Sequence, residues 1–393
     1  MASVHVKPMI INNVCLTTHP DGCAAMVKEQ IEWTKNRKKV EGPKNALVIG
    51  CSTGYGLSSR IAASFSSGAG TIGISFEKEP TAKKPGSPGY YNNAEFDRQA
   101  KAAGIFSHTI NGDAYSNEIR EEVIGLIKEN FGKVDLIIYS LASPVRTDPA
   151  TGILHKSALK PLGESFTAKS VDFMKETVRD LTIEPAQEGD VENTVKVMGG
   201  EDWEIWINTL GEAGVLADDV KTVAYSYIGP EVTASIYRNG TIGKAKEHLE
   251  ATALKLDEKL KAKGGRAFVS VNKALVTRAS AYIPVVSLYI SILFKVMKAK
   301  GIHEGCMEQI YRLFDERLYV EGETPVDSEG RIRIDDLEMR DDVQAEVSEL
   351  WDKVSTETLA EVTDIIGYRK DFLQLHGFDV EGIDYGKDVV LED

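Results

Sequence analysis

Three features predict an α/β protein built on a doubly wound parallel sheet. Short apolar runs rich in β-branched residues alternate with helical patterns from about residue 45, the runs are continuous as in strands covered on both faces, and a glycine-rich turn follows the first of them. The strand-like runs span residues 45–50, 70–76, 105–110 (the weakest), 134–139, 222–227 and 266–271. Helical patterns fill 57–67, 93–103 and 117–131. In the last, Ile119, Val123, Ile127 and Phe131 recur at every fourth position while Glu118, Glu121, Glu122 and Lys128 fall elsewhere, which predicts one buried stripe.

Two regions interrupt the alternation. Residues 144–220 are too long for a simple crossover and carry Pro144, Pro149, Pro161, Pro185 and the Gly199–Gly200 pair, so they read as an insertion with a helical piece over 202–210. From about residue 279 the pattern turns helical, over 279–300, 307–318 and 341–354. At about 150 residues per domain, 393 residues suit two or three domains or one large α/β unit. With no internal repeat or flexible linker, one large domain over 1–393 with an insertion and a helical C-terminal appendage is expected.

Composition narrows the function classes. Hydrophobic residues make up 42% and charged residues 27%, which excludes disorder and low complexity. The 46 basic and 60 acidic residues give a net charge of −14 without a long basic run, which argues against nucleic acid or an anionic membrane as partner. Cys15, Cys23, Cys51 and Cys306 are scattered, which suits a reducing compartment. The start of the chain lacks a basic segment followed by an apolar one, and the greasy stretch 281–294 is shorter than the roughly 20 residues a bilayer needs. A cytoplasmic protein is expected. His19 with Cys23, and His303 with Cys306, lack further ligands at metal spacing, so no metal is expected.

The chemistry begins at the turn Gly50, Cys51, Ser52, Thr53, Gly54, Tyr55, Gly56. Glycine lets the backbone bend sharply and approach a pyrophosphate closely, and the helix that follows offers free N–H groups to phosphate. Strand before and helix after are the context that gives this pattern meaning, and they make the sheet Rossmann-like. Glu77 lies 21 positions beyond Gly56, after Phe76 at the end of the second strand. A carboxylate there accepts from ribose hydroxyls and repels a 2′-phosphate, so NADH is favoured over NADPH, with Lys78 softening the preference; the competing reading is a solvated loop acid. Asp113 and Ala114, and Leu141 and Ala142, sit at carboxyl ends of strands, where a dinucleotide lies in such sheets. Cys51 in the phosphate turn reads as a small buried residue, against a helix N-terminus that lowers its pKa.

Tyr225, Tyr227 and Tyr237 cluster with Lys244 and Lys246 near the end of the fifth strand. A phenol with an ordinary pKa near 10 donates a proton at neutral pH, and an adjacent ammonium eases charge on its oxygen. Tyr237 and Lys246 are nine positions apart, opposite faces of a continuous helix, so they can meet only if the helix breaks. Asn239, Gly240 and Thr241 supply that break, with Thr241 placed to N-cap the helix carrying Lys246. On spacing alone, an ordinary packed tyrosine and a solvated lysine are the commoner meaning.

Longer motifs add a family likeness. Tyr237 and Lys246 with eight residues between them, the turn 50–56, Ser140-Leu-Ala-Ser-Pro-Val-Arg-Thr147, Val197-Met-Gly-Gly-Glu-Asp-Trp203 and Ala224-Tyr-Ser-Tyr-Ile-Gly229 resemble the trans-2-enoyl-CoA reductase and FabV-type enoyl-acyl-carrier-protein reductase family. The resemblance runs from Val6-Lys-Pro-Met and His19-Pro-x-Gly-Cys23 to His376-Gly-Phe-Asp-Val-Glu-Gly, nearly the whole chain. It implies NADH-dependent reduction of the C2=C3 bond of trans-2-enoyl thioesters, of CoA or acyl-carrier protein, in fatty acid synthesis. It further implies Tyr237 as proton donor, Tyr227 against the substrate near the thioester, and Lys246 on the nicotinamide ribose. Leu275, Val276 and Thr277 would contact the nicotinamide half, and Gly50 to Tyr55, Phe76, Glu77, Asp113, Ala114, Leu141 and Ala142 the rest.

Two rival readings remain at this level: a 3-oxoacyl (carbonyl) reductase on the same fold, and a non-catalytic NADH-sensing module, against which the tyrosine–lysine pair argues. Tyr282, Tyr289 and Phe294 in the stretch 281–297 read first as helical core and second as acyl-pocket lining. Oligomeric state is open, with a monomer expected because one large domain needs no partner to complete its core.

Overall fold

The apolar runs pair into one seven-stranded sheet. Its strands are β1 (Asn45–Ile49), β2 (Gly70–Ser75), β3 (Ser107–Asn111), β4 (Val134–Tyr139), β5 (Leu216–Ser226), β6 (Arg266–Val271) and β7 (Ile332–Arg333). They lie in the order β7-β6-β5-β4-β1-β2-β3, and neighbours run parallel throughout. The structure is a computed structural model that describes residues 3–11, 13–283 and 285–391. Met1 and Ala2 at the start of the chain, Pro284 and the side chain of Tyr282 in the greasy stretch lie outside the described residues.

Alternate residues of each strand feed opposite faces, which is why the runs are apolar without a break. On one face Ala46 and Val48 of β1 join Leu136, Ile138, Val223 and Phe268. They pack there against α1 (Pro20–Lys35) through Val27 and Ile31, α2 (Gly54–Ile61) through Leu57 and Ile61, and α3 (Pro88–Ala102) through Phe96. On the other, Leu47 and Ile49 join Ile72, Ile74, Ile137 and Val269 against α4 (Asn117–Asn130) through Val123 and Ile127. Beyond the short helix α5 (Asp190–Met198), that same face meets Trp203, Trp206 and Leu210 of α6 (Glu201–Glu212) and Leu249 and Leu256 of α7 (Thr241–Lys261). Each fully buried side chain of this size contributes about 1.5–3 kcal/mol relative to exposure.

The C-terminal third builds its own core around α8 (Val286–Ala299), in which Leu288, Tyr289, Ile292, Leu293 and Phe294 are fully buried. Past α9 (Cys306–Leu313), Val343 and Val347 of α10 (Asp341–Lys353) and Tyr368 and Phe372 of α11 (Ile365–Gln374) close that core. From Val285 to Phe294 the greasy stretch is interior packing, as its first reading held.

Several boundaries differ from expectation. The fifth strand starts at Leu216, six residues before the predicted 222, with a register irregularity between Leu216 and Lys221; Asp218 and Asp219 masked the run. The inserted region contains two antiparallel hairpins, Val145–Thr147 with Leu154–Lys156 and Phe166–Asp172 with Thr177–Ile183. The first has only three residues a strand, with Arg146 buried and Val145 and Leu154 exposed, and the second exposes Thr167, Arg179, Asp180 and Thr182, so neither wrote an apolar run. The third strand starts two residues late, α3 starts at Pro88, five residues before the expected 93, and β7 interrupts the helical appendage. Short strands at the two ends of the chain also pair, Ser3–Val4 with Val389–Val390.

Candidate active site

The strand order reverses between β1 and β4, and a crevice opens there at the carboxyl ends of the strands, where such sheets bind their ligands. Gly50 enters it at φ +88°, a backbone state L-residues avoid, and a Cβ on Gly50 would strike the Ser140 carbonyl at 2.3 Å. A Cβ on Gly56 would fall 1.8 Å from the Gly50 carbonyl oxygen, so the turn closes only with glycine at that position. Thr53 precedes α2 in extended conformation without a side-chain cap, leaving first-turn N–H groups for a ligand. On Gly54 an added Cβ would meet only the Thr277 side chain within 4 Å, at 3.6 Å. This open cradle over a helix N-terminus fits a dinucleotide pyrophosphate.

The other predicted positions gather round the same edge. Phe76 is 79% exposed beside the turn. Glu77 is not a solvated loop acid: its side chain is 7% exposed and accepts from Ser52 Oγ at 2.7 Å, Ser87 Oγ at 2.5 Å and Arg278 Nη1 at 2.9 and 3.0 Å. Asp113 accepts from the Tyr115 N–H at 3.0 Å, and the carbonyl of Ala114 accepts from Trp206 Nε1 at 3.1 Å. Leu141 and Ala142 follow Ser140, whose N–H donates to Ile49. Leu275 and Val276 are buried, and the N–H of Thr277 donates to Ser280 Oγ at 2.9 Å. Tyr55 donates to the carbonyl of Lys273 at 2.6 Å, tying the glycine turn to the chain after β6. The Cys51 thiol is fully buried, and burial pushes it up to about 11 against the opposing charge of Arg60.

The helix break between tyrosine and lysine is present. A four-residue helix, Glu231–Ala234, ends in turns before α7 begins at Thr241. Thr241 is not the N-cap: Gly240 holds that position, and the Thr241 hydroxyl donates to the Ala158 carbonyl instead. Both predicted groups anchor on the end of β5. Lys246 Nζ donates to the Tyr225 carbonyl at 3.2 Å, and the Tyr237 ring stands edge-on to Tyr227, centroids 4.8 Å apart. Burial lowers the Lys246 ammonium to about 8 and raises the Tyr237 phenol. Among the described residues the Tyr237 hydroxyl makes no hydrogen bond, so its proton is available to a ligand. His19 caps α1, its Nδ1 accepting from the Gly22 N–H at 3.3 Å.

Sequence reasoning missed Arg278, one position past Thr277, and the buried Lys273 and Glu338. Adjacency was a usable signal for Arg278. Glu338 sits in the acidic run Asp335-Asp-Leu-Glu338, where nothing local distinguishes it from a surface acid.

Fold and crevice together define a nicotinamide-dinucleotide oxidoreductase of the Rossmann type. Residues 84–319 match the family model described as the trans-2-enoyl-CoA reductase catalytic region. Residues 5–82 match the NAD(P)H binding domain of trans-2-enoyl-CoA reductase, and 326–389 the enoyl reductase FAD binding domain. The chain is 57% identical over 383 residues to an enoyl-acyl-carrier-protein reductase (NADH) of Flavobacterium johnsoniae, covering 98% of this chain and 97% of that protein. It is 58% identical over 391 residues to a trans-2-enoyl-CoA reductase (NADH) of Treponema denticola, covering 98% of each. The crystal structure of the Treponema denticola enzyme in complex with NAD superposes with a TM-score of 0.95 over 98% of both chains, at 57% identity. That of a Clostridium acetobutulicum trans-2-enoyl-CoA reductase with NADH gives 0.96 over 99% of this chain and 98% of that one, at 44% identity. The chain belongs to the trans-2-enoyl-CoA reductase family.

Proposed function

We propose that this chain reduces the C2=C3 bond of trans-2-enoyl thioesters with NADH, as a step of fatty acid synthesis. Relatives named for CoA and for acyl-carrier-protein substrates match equally well, at 58% and 57% identity, so either thioester is a substrate to test. The observation that carries the reading is the pair of edge-on phenols at the end of β5, one with its hydroxyl unbonded, beside a glycine cradle shaped for a dinucleotide.

Reduced nicotinamide, when bound, supplies the hydride taken up at the β-carbon. Gly50 to Tyr55 hold the pyrophosphate, Glu77 the adenosine ribose and Lys246 the nicotinamide ribose. Phe76, Asp113, Ala114, Leu141 and Ala142 line the adenosine side, and Leu275, Val276 and Thr277 the nicotinamide side. As charge builds on the thioester oxygen, Tyr237 donates its free hydroxyl there, and the ammonium of Lys246, held on the Tyr225 carbonyl, adds positive charge to the site. Tyr227 packs against the substrate. Segment 326–389 offers no comparable cradle for a flavin among the described residues, since its apolar side chains fill the C-terminal core.

The test is a spectrophotometric assay of NADH and NADPH with crotonyl-CoA, a longer enoyl thioester and a 3-oxoacyl thioester. Oxidation of NADH by the enoyl substrates is expected. Oxidation by the 3-oxoacyl substrate alone, or tight NADH binding without turnover, overturns the reading.

The chain acts as one body on this reading, because the sheet draws strands from all three matched segments: β1 and β2, then β3 to β6, then β7. A single cooperative unfolding transition is expected. Four unpaired cysteines, three of them buried, support a cytoplasmic location.

A further inference from the structure

Behind the two phenols lies a carboxylate the reaction above does not use. Glu338 is fully buried, and three donors surround it: the Tyr289 hydroxyl at 2.6 Å and the Tyr227 hydroxyl at 3.1 Å on Oε1, and the Ala274 N–H at 2.7 Å on Oε2. The buried ammonium of Lys273, held on the Ala274 carbonyl at 3.2 Å, opposes the rise that burial imposes on this carboxyl. Gln344 Nε2 donates to the Tyr289 hydroxyl at 3.2 Å, so Tyr289 must spend its own proton on Glu338. This is the donor set of an ionised carboxylate.

A phenol has one proton. If Tyr227 gives it to Glu338, only lone pairs remain on the side facing the crevice. Turning it away would strip a buried, charged oxygen of one of its two donors, and a hydrogen bond to a charged group returns more than one to a neutral acceptor. Burial first, then the charge of Glu338, pushes the Tyr227 phenol well above its ordinary value and keeps that proton in place. Tyr237 differs in the one respect that matters, having no partner for its hydroxyl among the described residues.

We propose that Glu338 is a positioning residue that turns the Tyr227 hydroxyl proton away from the reacting thioester and so leaves Tyr237 as the one phenol that donates there. The inference rests on the enoyl-thioester reading. In the step concerned, the substrate enolate takes one proton, the phenol that gives it becomes a phenolate, and water restores the phenol.

Glu338→Gln tests this without changing shape. The Ala274 N–H claims the amide oxygen, so the amide NH2 faces both phenols, which must then accept and turn their own protons outward. Tyr237→Phe alone should lose most turnover with crotonyl-CoA. Adding Glu338→Gln should restore kcat at least about tenfold over Tyr237→Phe, with the NADH Kd from fluorescence titration within about threefold of wild type. No gain over Tyr237→Phe overturns the proposal. A third substitution identifies the source of the restored proton. Tyr227→Phe added to the Glu338→Gln/Tyr237→Phe pair should remove that gain, because the restored proton belongs to Tyr227; a gain that survives the loss of the Tyr227 hydroxyl overturns the proposal. Wild-type enzyme that fails to oxidise NADH with crotonyl-CoA overturns the enoyl-reductase reading and this assignment with it, whereas failure of the variants alone removes only the role of Glu338.

Discussion

The guanidinium of Arg278 grips the carboxylate of Glu77 from 201 positions further along the chain, its Nη1 at 2.9 and 3.0 Å from the two oxygens. The residue after Thr277, which we propose for the nicotinamide side, is thereby bonded to the acid we propose for the adenosine ribose. Arg278 also offsets the charge with which Glu77 would repel a 2′-phosphate. Arg278→Ala should raise the ratio of kcat/KM for NADH over NADPH, and Glu77→Gln should lower it, each by about threefold to tenfold. Because Arg278 is 37% exposed, its loss should cost only about 1–2 kcal/mol in urea unfolding.

Removing the free phenol isolates its chemistry from binding. Tyr237→Phe keeps the ring contact with Tyr227 and should bind NADH within about twofold of wild type, while kcat falls about 10²–10⁴-fold. Stopped-flow turnover beside a binding titration checks this. Near-normal turnover would reject Tyr237 as donor.

The alkaline behaviour should belong to lysine. Burial holds the Lys246 ammonium at about 8, while the Tyr237 phenol is raised and stays protonated. Losing that ammonium would remove the ribose contact proposed for it, so kcat/KM should fall as pH rises through about 8. Stability should move the other way. The folded value lies below the unfolded one, so the unfolded chain binds more protons between about 8 and 10.4, and folding gains over that window. Lys273, also lowered to about 8 by burial, adds to the same gain. In Lys246→Arg the side chain stays charged and the kinetic limb should shift upward; a limb left near 8 would assign it to Lys273.

The phosphate turn tolerates no side chain at its third glycine. In Gly56→Ala the methyl group would sit 1.8 Å from the Gly50 carbonyl oxygen, a backbone atom that cannot yield cheaply. A loss of at least about 2 kcal/mol in chemical denaturation is expected, together with loss of NADH binding.

Much of the scaffold was legible because burial on both faces writes itself into consecutive residues. Leu47 and Val48 face opposite cores and both must be apolar, so no polar residue interrupts the run and the central strands stood out. The hairpin Phe166–Asp172 with Thr177–Ile183 did not, since its exposed positions are polar and its register comes from pairing. Phe76 and Glu77 were placed by their position at a strand end and Leu275, Val276 and Thr277 by family likeness; in the fold the two segments are joined through Arg278, one position past Thr277, on Glu77. Glu338 was illegible for a physical reason: its meaning comes from Tyr227, Tyr289 and Ala274, each at least 49 positions away.

The start of the first helix is closed by residues more than 350 positions further along the chain. Gly377, at φ +75°, sets its carbonyl so close to Gly22 that a methyl group there would lie 1.8 Å from the oxygen, while the His19 N–H donates to the His376 carbonyl at 2.9 Å. Val27 and Ile31 find their cover in α2 and α3, but the opening turn of α1 stays uncapped on that side until residues 376 and 377 have been made and docked, so its amide protons should be the last of the helix to gain protection from exchange.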